Sequence, residues 1–205
     1  MLSFLSNPFF LWGTVAVSLL IFLGVLAKQE KMSTKMLAYI AIALALALVL
    51  NQIRLFQMPQ GGSVSAGSML MLALIAYWFG AGPGIMAGIV FGLLSLAIRP
   101  YILHPAQVLL DYPMAYGALG LAGLAFFRNK NRLWLGYIVG VLGRFVFVFL
   151  SGFIFWGAYA EGNPIIHSFA YNASYIVPEI IISLAILAIE PFKNAINLIR
   201  TKANN

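Results

Sequence analysis

The sequence contains no cysteine, and few of its residues are charged. Asp, Glu, Lys and Arg make up 8% of the 205 residues, whereas a typical soluble domain has about 25%. The missing cysteines exclude disulfides, thiolate-bound zinc, iron–sulfur clusters and thiol catalysis. Because so few charges cannot cover a soluble globule of this size, a soluble enzyme and a nucleic-acid-binding domain are excluded. The net charge of +7 is therefore not a DNA-binding signal.

Motifs for nucleotide hydrolysis, metal binding and catalysis are missing as well. No GxxxxGK[ST] loop occurs, so the chain has no recognisable means of hydrolysing ATP. The two histidines, His104 and His167, lie far apart in sequence. No paired nucleophile and base is evident. We therefore expect no enzyme, no cofactor and no metal site.

Hydrophobic residues are abundant instead, at 62% of the chain. They suffice for about six membrane crossings of about 20 residues each. Apolar stretches bounded by charges, Pro or Gly predict an all-α polytopic membrane protein. The seven predicted spans lie at about 8–27, 36–57, 66–79, 83–98, 106–126, 134–156 and 166–190.

The basic residues predict the orientation of these spans. Nine of the twelve fall in three segments that seven spans place on one side: Lys28, Lys31, Lys35, Arg128, Lys130, Arg132, Lys193, Arg200 and Lys202. Basic loops face the cytoplasm. We therefore expect a multi-pass plasma-membrane protein with its N-terminus outside and its C-terminus in the cytoplasm.

Three ionisable residues lie inside predicted spans, where they are costly and usually paired or functional. Arg144 and Glu179 fall near mid-depth of neighbouring antiparallel spans, which predicts a buried ion pair; a coupling-ion relay is the alternative. Asp111 lies about one turn below the outer surface. The basic residues predicted nearest to its depth are Arg54 and Arg99, at the membrane edge.

Aromatic and polar residues are predicted at the same outer level as Asp111. They are Tyr112, Tyr116, Trp156, Tyr159, Tyr171 and Asn172. Aromatic faces attract cations, and Asn can bond a ring nitrogen or amine, so this set predicts a site for a cationic heterocycle. The alternative is an interfacial aromatic belt, to which we assign Tyr101 and Tyr175.

Small residues follow a helical spacing in the second span. Ala41 and Ala45, or Ala43 and Ala47, would form a smooth stripe on which another helix packs closely. The partner is either another subunit or another helix of this chain.

Three motifs give the chain a family resemblance. They are the run Met58–Ser65; the run His104–Tyr112, followed by Gly-Leu-Ala-Gly at 120–123; and the segment from Ser151-Gly152 through Phe155-Trp156 to 171–175 (Tyr-Asn-Ala-Ser-Tyr). In this order and spacing, over about residues 35–192, the chain resembles the thiamine-specific S-components of energy-coupling factor (ECF) transporters of prokaryotes.

The resemblance implies a six-helix S-component core that captures thiamine at the extracellular face. Uptake would then depend on an ECF coupling transmembrane subunit and two ATPase subunits. The implied organisation is an extra transmembrane helix and loop (1–34), the substrate-binding core (35–192) and a basic cytoplasmic tail (193–205). The alanine stripe would contact the coupling subunit through Ala41, Ala43, Ala45 and Ala47.

The resemblance also implies the site residues. The implied substrate-binding residues are Asp111, Tyr112, Trp156, His167, Tyr171, Asn172, Gly62 and Gln107. The implied lid loop contains Pro59, Gln60, Gly61 and Ser63. Two positions depart from the family pattern, which has His at Val148 and Tyr at His167.

Other functions stay open at the level of sequence. The two departures make a thiamine precursor, such as hydroxymethylpyrimidine, an alternative ligand. A self-sufficient proton-coupled transporter would use Asp111, Arg144, Glu179 and His167 as relay groups. A non-transporting interaction subunit would bind no ligand.

Overall fold

The computed structural model describes residues 32–59, 61–160 and 162–204, with the isolated positions Gly13, Ala16, Leu20 and Gly24. The first predicted span, at about 8–27, therefore lies outside the described residues apart from these four positions.

The described chain is almost entirely helical. The helices are α1 (Thr34–Gln52), α2 (Ser68–Phe79), α3 (Ala81–Ile98), α4 (Pro105–Leu109), α5 (Ala115–Ala118), α6 (Ala125–Asn129), α7 (Leu133–Trp156), α8 (Pro164–Ala188) and α9 (Glu190–Asn204). A π turn (Leu110–Met114) joins α4 to α5, and 3-10 turns occupy Leu119–Gly123 and Gly157–Tyr159. The strands β1 (Arg54–Gln57) and β2 (Ser63–Ser65) form one antiparallel hairpin.

Six helical segments build the bundle in the described part of the chain. Five are long and apolar enough to cross a membrane: α1, α3, the composite segment Pro105–Asn129, α7 and α8. The sixth, α2, has 12 residues and is about 18 Å long, shorter than a hydrocarbon core of about 30 Å. It is buried along nearly its whole length, so it packs in the centre of the bundle. This arrangement agrees with the predicted six-helix core.

The first helix of this core ends earlier than predicted. The predicted span runs to residue 57, but α1 ends at Gln52 and β1 follows. Gly61 adopts a φ of 91°, a left-handed conformation that suits glycine, and Met58 N donates to Gly62 O at 2.7 Å to close the hairpin. Leu55 and Phe56 extended the apolar pattern, but both are exposed on β1.

The composite segment is irregular where it carries Asp111. Pro113 has no backbone N–H to donate, so the regular hydrogen-bond ladder cannot run through it, and the chain widens into the π turn Leu110–Met114. The segment packs tightly on α3, because a Cβ at Gly92 would lie 2.5 Å from Tyr112 O. The turn thus has a fixed position against its neighbour.

The two ends of the bundle differ in chemistry. At one end, here called the site end, lie the hairpin, the C-terminus of α7 and the N-termini of α4 and α8. At the other, the basic end, the loop Arg128–Arg132 meets α9. The predicted tail forms this helix, and Phe192, Ile196 and Ile199 pack its apolar face on the core.

Candidate functional site

A cavity of about 120 Å³ opens at the site end, between the hairpin, the composite segment, α7 and α8. It brings together all eight residues predicted to bind substrate: Gly62, Gln107, Asp111, Tyr112, Trp156, His167, Tyr171 and Asn172. These residues lie up to 110 positions apart in sequence, so the fold and not local order creates the site.

Asp111 is held by a glutamine one turn before it. Gln107 Nε2 donates to Asp111 Oδ2 at 2.6 Å, and Gln107 Oε1 accepts from Leu103 N at 3.1 Å. Gln107 is buried, so its amide fixes the orientation of the carboxylate. Arg144 lines the same cavity. Arg54 and Arg99, the basic residues predicted nearest to the depth of Asp111, do not line this cavity.

Tyr112 lines the cavity, but its hydroxyl is used by the protein. This hydroxyl accepts from Tyr101 N at 3.1 Å and donates to Arg99 O at 3.2 Å. Tyr112 can therefore contact a substrate through its ring, while its hydroxyl group fixes the loop before α4.

An aromatic wall stands beside this loop. The rings of Trp156 and Tyr101 stack with centroids 5.7 Å apart and an interplanar angle of 21°. Tyr159 also contacts Trp156, with ring centroids 5.8 Å apart and an interplanar angle of 57°. Assigning Tyr101 to an interfacial belt was wrong, because Tyr101 lines the cavity.

Asn172 lies in the cavity wall with its amide largely satisfied. Its Nδ2 donates to Ser168 O at 2.9 Å and to Val148 O at 3.3 Å, and its Oδ1 accepts from Tyr175 OH at 2.6 Å. It therefore ties α8 to α7 and retains one acceptor lone pair for a ligand. Tyr175, also assigned to the belt, is buried and lines the cavity, so that assignment was wrong too.

The hairpin loop covers the cavity at close range. Gly62 N donates to Tyr171 OH at 3.3 Å. A Cβ at Gly62 would lie 2.6 Å from the ring of Tyr175, so only glycine fits here without movement. Of the other predicted lid residues, Gly61 and Ser63 line the cavity, Pro59 is exposed and Gln60 lies outside the described residues.

Arg144 and Glu179 both line the cavity but do not form the predicted ion pair. Within the described residues, the pair with an N–O distance of 4 Å or less is Lys193–Glu190. The Arg144 guanidinium lies over the ring of Tyr116, 3.9 Å from its centroid. The sequence placed both residues at the same depth of neighbouring helices, but it could not predict the direction of each side chain.

Glu179 serves a different structural purpose. It accepts hydrogen bonds from Ser65 Oγ at 2.5 Å, Ser65 N at 3.1 Å and Met69 N at 3.4 Å. Backbone N–H groups at a helix N-terminus favour a negative charge. The carboxylate therefore anchors the junction between β2 and α2, directly below the hairpin.

Four buried polar atoms of cavity residues make no hydrogen bond of standard geometry within the described structure. They are Arg144 Nε and Nη1, Ser151 Oγ and His167 Nε2. Buried polar groups are nearly always hydrogen-bonded in folded proteins. Their convergence in one cavity indicates a site for a polar ligand.

Comparison with known proteins agrees with the membrane fold. Residues 37–198 match the family described as thiamine transporter protein. This chain belongs to the thiamine transporter family. The match spans the six-helix bundle and most of α9.

Individual proteins of this family align with most of this chain. The thiamine transporter ThiT of Bacillus subtilis is 35% identical over 167 residues, covering 73% of this chain and 86% of that protein. ThiT of Lacticaseibacillus paracasei is 28% identical over 171 residues, covering 73% and 83%. A solved structure of ThiT from Listeria monocytogenes superposes with a TM-score of 0.70 at 27% identity, covering 80% of this chain and 96% of that one.

Burial in this structure separates the two registers of the alanine stripe. Ala43 and Ala47 are buried in the core, with exposures of 5% and 0%. They cannot contact a partner subunit, because other helices of this chain already cover them. Ala41 and Ala45 are exposed and remain available for such a contact.

Sequence reasoning missed several lining residues, among them Tyr101, Tyr175 and Ser151. Tyr101 and Tyr175 have the same composition signal as belt tyrosines, so sequence could not separate the two roles. Ser151 differs, since it belongs to one of the motifs that carried the resemblance.

Proposed function

We propose that this protein binds thiamine at the site end and presents it for uptake. The observation that supports this most directly is the cavity itself, where one carboxylate, an aromatic stack and the four buried polar atoms converge in a thiamine transporter family member. The positive-inside pattern predicts that this end faces outward.

Each part of the cavity suits one part of thiamine. The thiazolium ring is permanently cationic, so it cannot lose its charge on entering a poorly hydrated site. Asp111 supplies an opposite charge and the face of Trp156 a cation–π contact worth about 0.5–2 kcal/mol. The guanidinium of Arg144 and the hydroxyl of Ser151 supply donors for acceptor atoms of the ligand.

Translocation is proposed to need an ECF coupling subunit and two ATPase subunits. The chain has no nucleotide-binding loop of its own. Ala41 and Ala45 provide a small-residue surface on α1, and small residues allow close helix approach within a membrane. The proposed docking surface is therefore this face of α1.

A binding titration of the purified protein tests the capture step. The ligands are thiamine, its phosphates, the hydroxymethylpyrimidine half and the thiazolium half, and the readout is Trp156 fluorescence with Trp156→Phe as the blank. We expect thiamine to bind most tightly. Tighter binding of the pyrimidine half would instead identify a precursor transporter, and no binding at all would refute capture.

Reconstitution tests the energy source separately. Liposomes that contain this protein alone should not accumulate thiamine under a pH gradient. Liposomes that also contain the ECF module and internal ATP should. Uptake by the protein alone would contradict the proposed dependence on partners without affecting the capture step.

A further inference from the structure

A second cavity, of about 280 Å³, lies at the basic end of the bundle. Leu187 of α8 lines it, 15 residues beyond Asn172 in the first cavity, which corresponds to about 22 Å along a helix. The two cavities are therefore separate, and the second is independent of the proposed capture of thiamine.

The walls of this cavity are apolar on one side. Leu133, Leu187 and Ile196 line it, and Trp134 stands at its edge with 52% of its surface exposed. Leu133 begins α7 and Leu187 nearly ends α8, so the cavity lies where two membrane helices leave the hydrocarbon region. Trp is enriched at this depth, where one end of its ring is apolar and the other is wet.

The remaining wall and rim are polar and basic. Tyr77, Asn131 and Lys193 line the cavity. The adjoining loop and α9 carry five further basic residues, Arg128, Lys130, Arg132, Arg200 and Lys202, whereas Glu190 is the acidic residue of α9. The local charge is thus strongly positive.

Two arginines fix this rim in place. Arg128 donates from Nε to Tyr77 O and from Nη2 to Trp78 O, both at 2.9 Å. Arg200 donates from Nη1 to Tyr77 OH at 2.9 Å and from Nη2 to Arg128 O at 2.8 Å. These bonds join the loop, the end of α2 and α9 into one preformed wall.

Lys193 is the basic group that a ligand in the cavity can engage. Its ammonium bonds Glu190 at 2.6 Å, but both side chains are substantially exposed, at 44% and 72%. An exposed pair of this kind contributes little to stability. Lys193 can therefore exchange Glu190 for an anion that enters the cavity.

We propose that this cavity binds the headgroup of an anionic phospholipid. The phosphate would contact Lys193, and the acyl chains would leave along Leu133 and Leu187 beside Trp134. Basic pockets between membrane helices bind anionic headgroups on the cytoplasmic side. An apolar wall, an interfacial Trp and a preformed basic rim are the three features that such a lipid needs.

Quenching of Trp134 by brominated lipids tests this proposal. The full-length protein is reconstituted in phosphatidylcholine bilayers in which either phosphatidylglycerol or phosphatidylcholine carries a dibrominated chain. The Trp134 signal is the difference between the parent and Trp134→Phe. We expect stronger quenching by the brominated phosphatidylglycerol, saturating at a low mole fraction.

Charge variants distinguish a site from diffuse attraction. Lys193→Gln should weaken the phosphatidylglycerol response about fivefold, the value for one basic residue near an anionic surface. Lys193→Arg should retain it, and Lys202→Gln, the matched control on α9, should change it little. Equal quenching by both lipids, or equal effects of Lys193→Gln and Lys202→Gln, would overturn the proposal. Full competition by soluble glycerol 3-phosphate would assign the cavity to a free phosphate ligand and overturn it as well.

Discussion

Replacing Asp111 by Asn removes the charge of the candidate site while keeping its shape. In the parent, Asp111 Oδ2 accepts from Gln107 Nε2 at 2.6 Å. In the variant, the amide oxygen can accept this bond only if the amide nitrogen occupies the place of the second carboxylate oxygen. The N–H groups of that nitrogen then point at the cationic ligand. The variant therefore loses an attraction and gains an unfavourable dipole.

The magnitude follows from the surroundings of the carboxylate. Truncating one partner of a buried charge pair costs about 2–5 kcal/mol in binding. Asp111 is only partly buried, and the positive charge of Arg144 in the same cavity opposes a cation whether or not Asp111 is charged. We therefore expect the lower end, about 2 kcal/mol, which is about a 30-fold weaker thiamine affinity.

Calorimetric titration with thiamine and with its neutral pyrimidine half measures this effect. The pyrimidine half should lose much less affinity, because it carries no permanent charge. Glu190→Gln, an exposed carboxylate-to-amide change at the basic end, is the matched control and should bind like the parent. If Asp111→Asn binds thiamine as tightly as the parent, the carboxylate is structural and the assignment of Asp111 is wrong.

Three further changes test the docking surface, the lid and its anchor. Ala41→Trp should reduce ECF-dependent uptake without changing thiamine affinity, whereas Ile42→Trp on a different face of α1 should leave both intact; equal losses would place the docking surface elsewhere. Gly62→Ala puts a Cβ 2.6 Å from the Tyr175 ring, an overpacking of about 1–3 kcal/mol, and should accelerate thiamine release in stopped-flow; an unchanged rate would mean that the loop does not close over the ligand. Glu179→Gln places an amide donor where three hydrogen-bond donors already converge. We therefore expect the variant to lose about 1–3 kcal/mol of stability and to unfold at a lower thermal midpoint. An unchanged midpoint would contradict the anchoring role.

The composition of the cavity could be predicted from sequence because its motifs are long and their order is fixed. All eight predicted binding residues meet there. The hairpin could not be predicted, since Ile53, Leu55 and Phe56 continue the apolar pattern of α1. A short apolar strand in a membrane protein has the same residue types as a helix, so hydrophobicity does not distinguish them. The signal for a turn is the pair Gly61-Gly62.

Directions around a helix axis were harder to predict than depth. Arg144 and Glu179 lie on neighbouring helices, yet one faces Tyr116 and the other Ser65. The alanine stripe had the same ambiguity until burial separated Ala43 from Ala41. The buried face of helix α9, in contrast, can be predicted from the sequence, because its apolar residues recur with helical spacing.

The two ends of the bundle also differ in how firmly their parts are held. Where the hairpin loop meets α8, the hydrogen bond from Gly62 N to Tyr171 OH is long, at 3.3 Å, and both groups are neutral; such a bond contributes about 0.5–1.5 kcal/mol. At the basic end, Arg128 and Arg200 make several bonds of 2.8–2.9 Å from charged groups, each stronger than a neutral one. Local opening occurs where stabilising contacts are fewest. Ligand entry should therefore open the loop above Gly62, while the anchored junction at Glu179 and the basic end keep their structure.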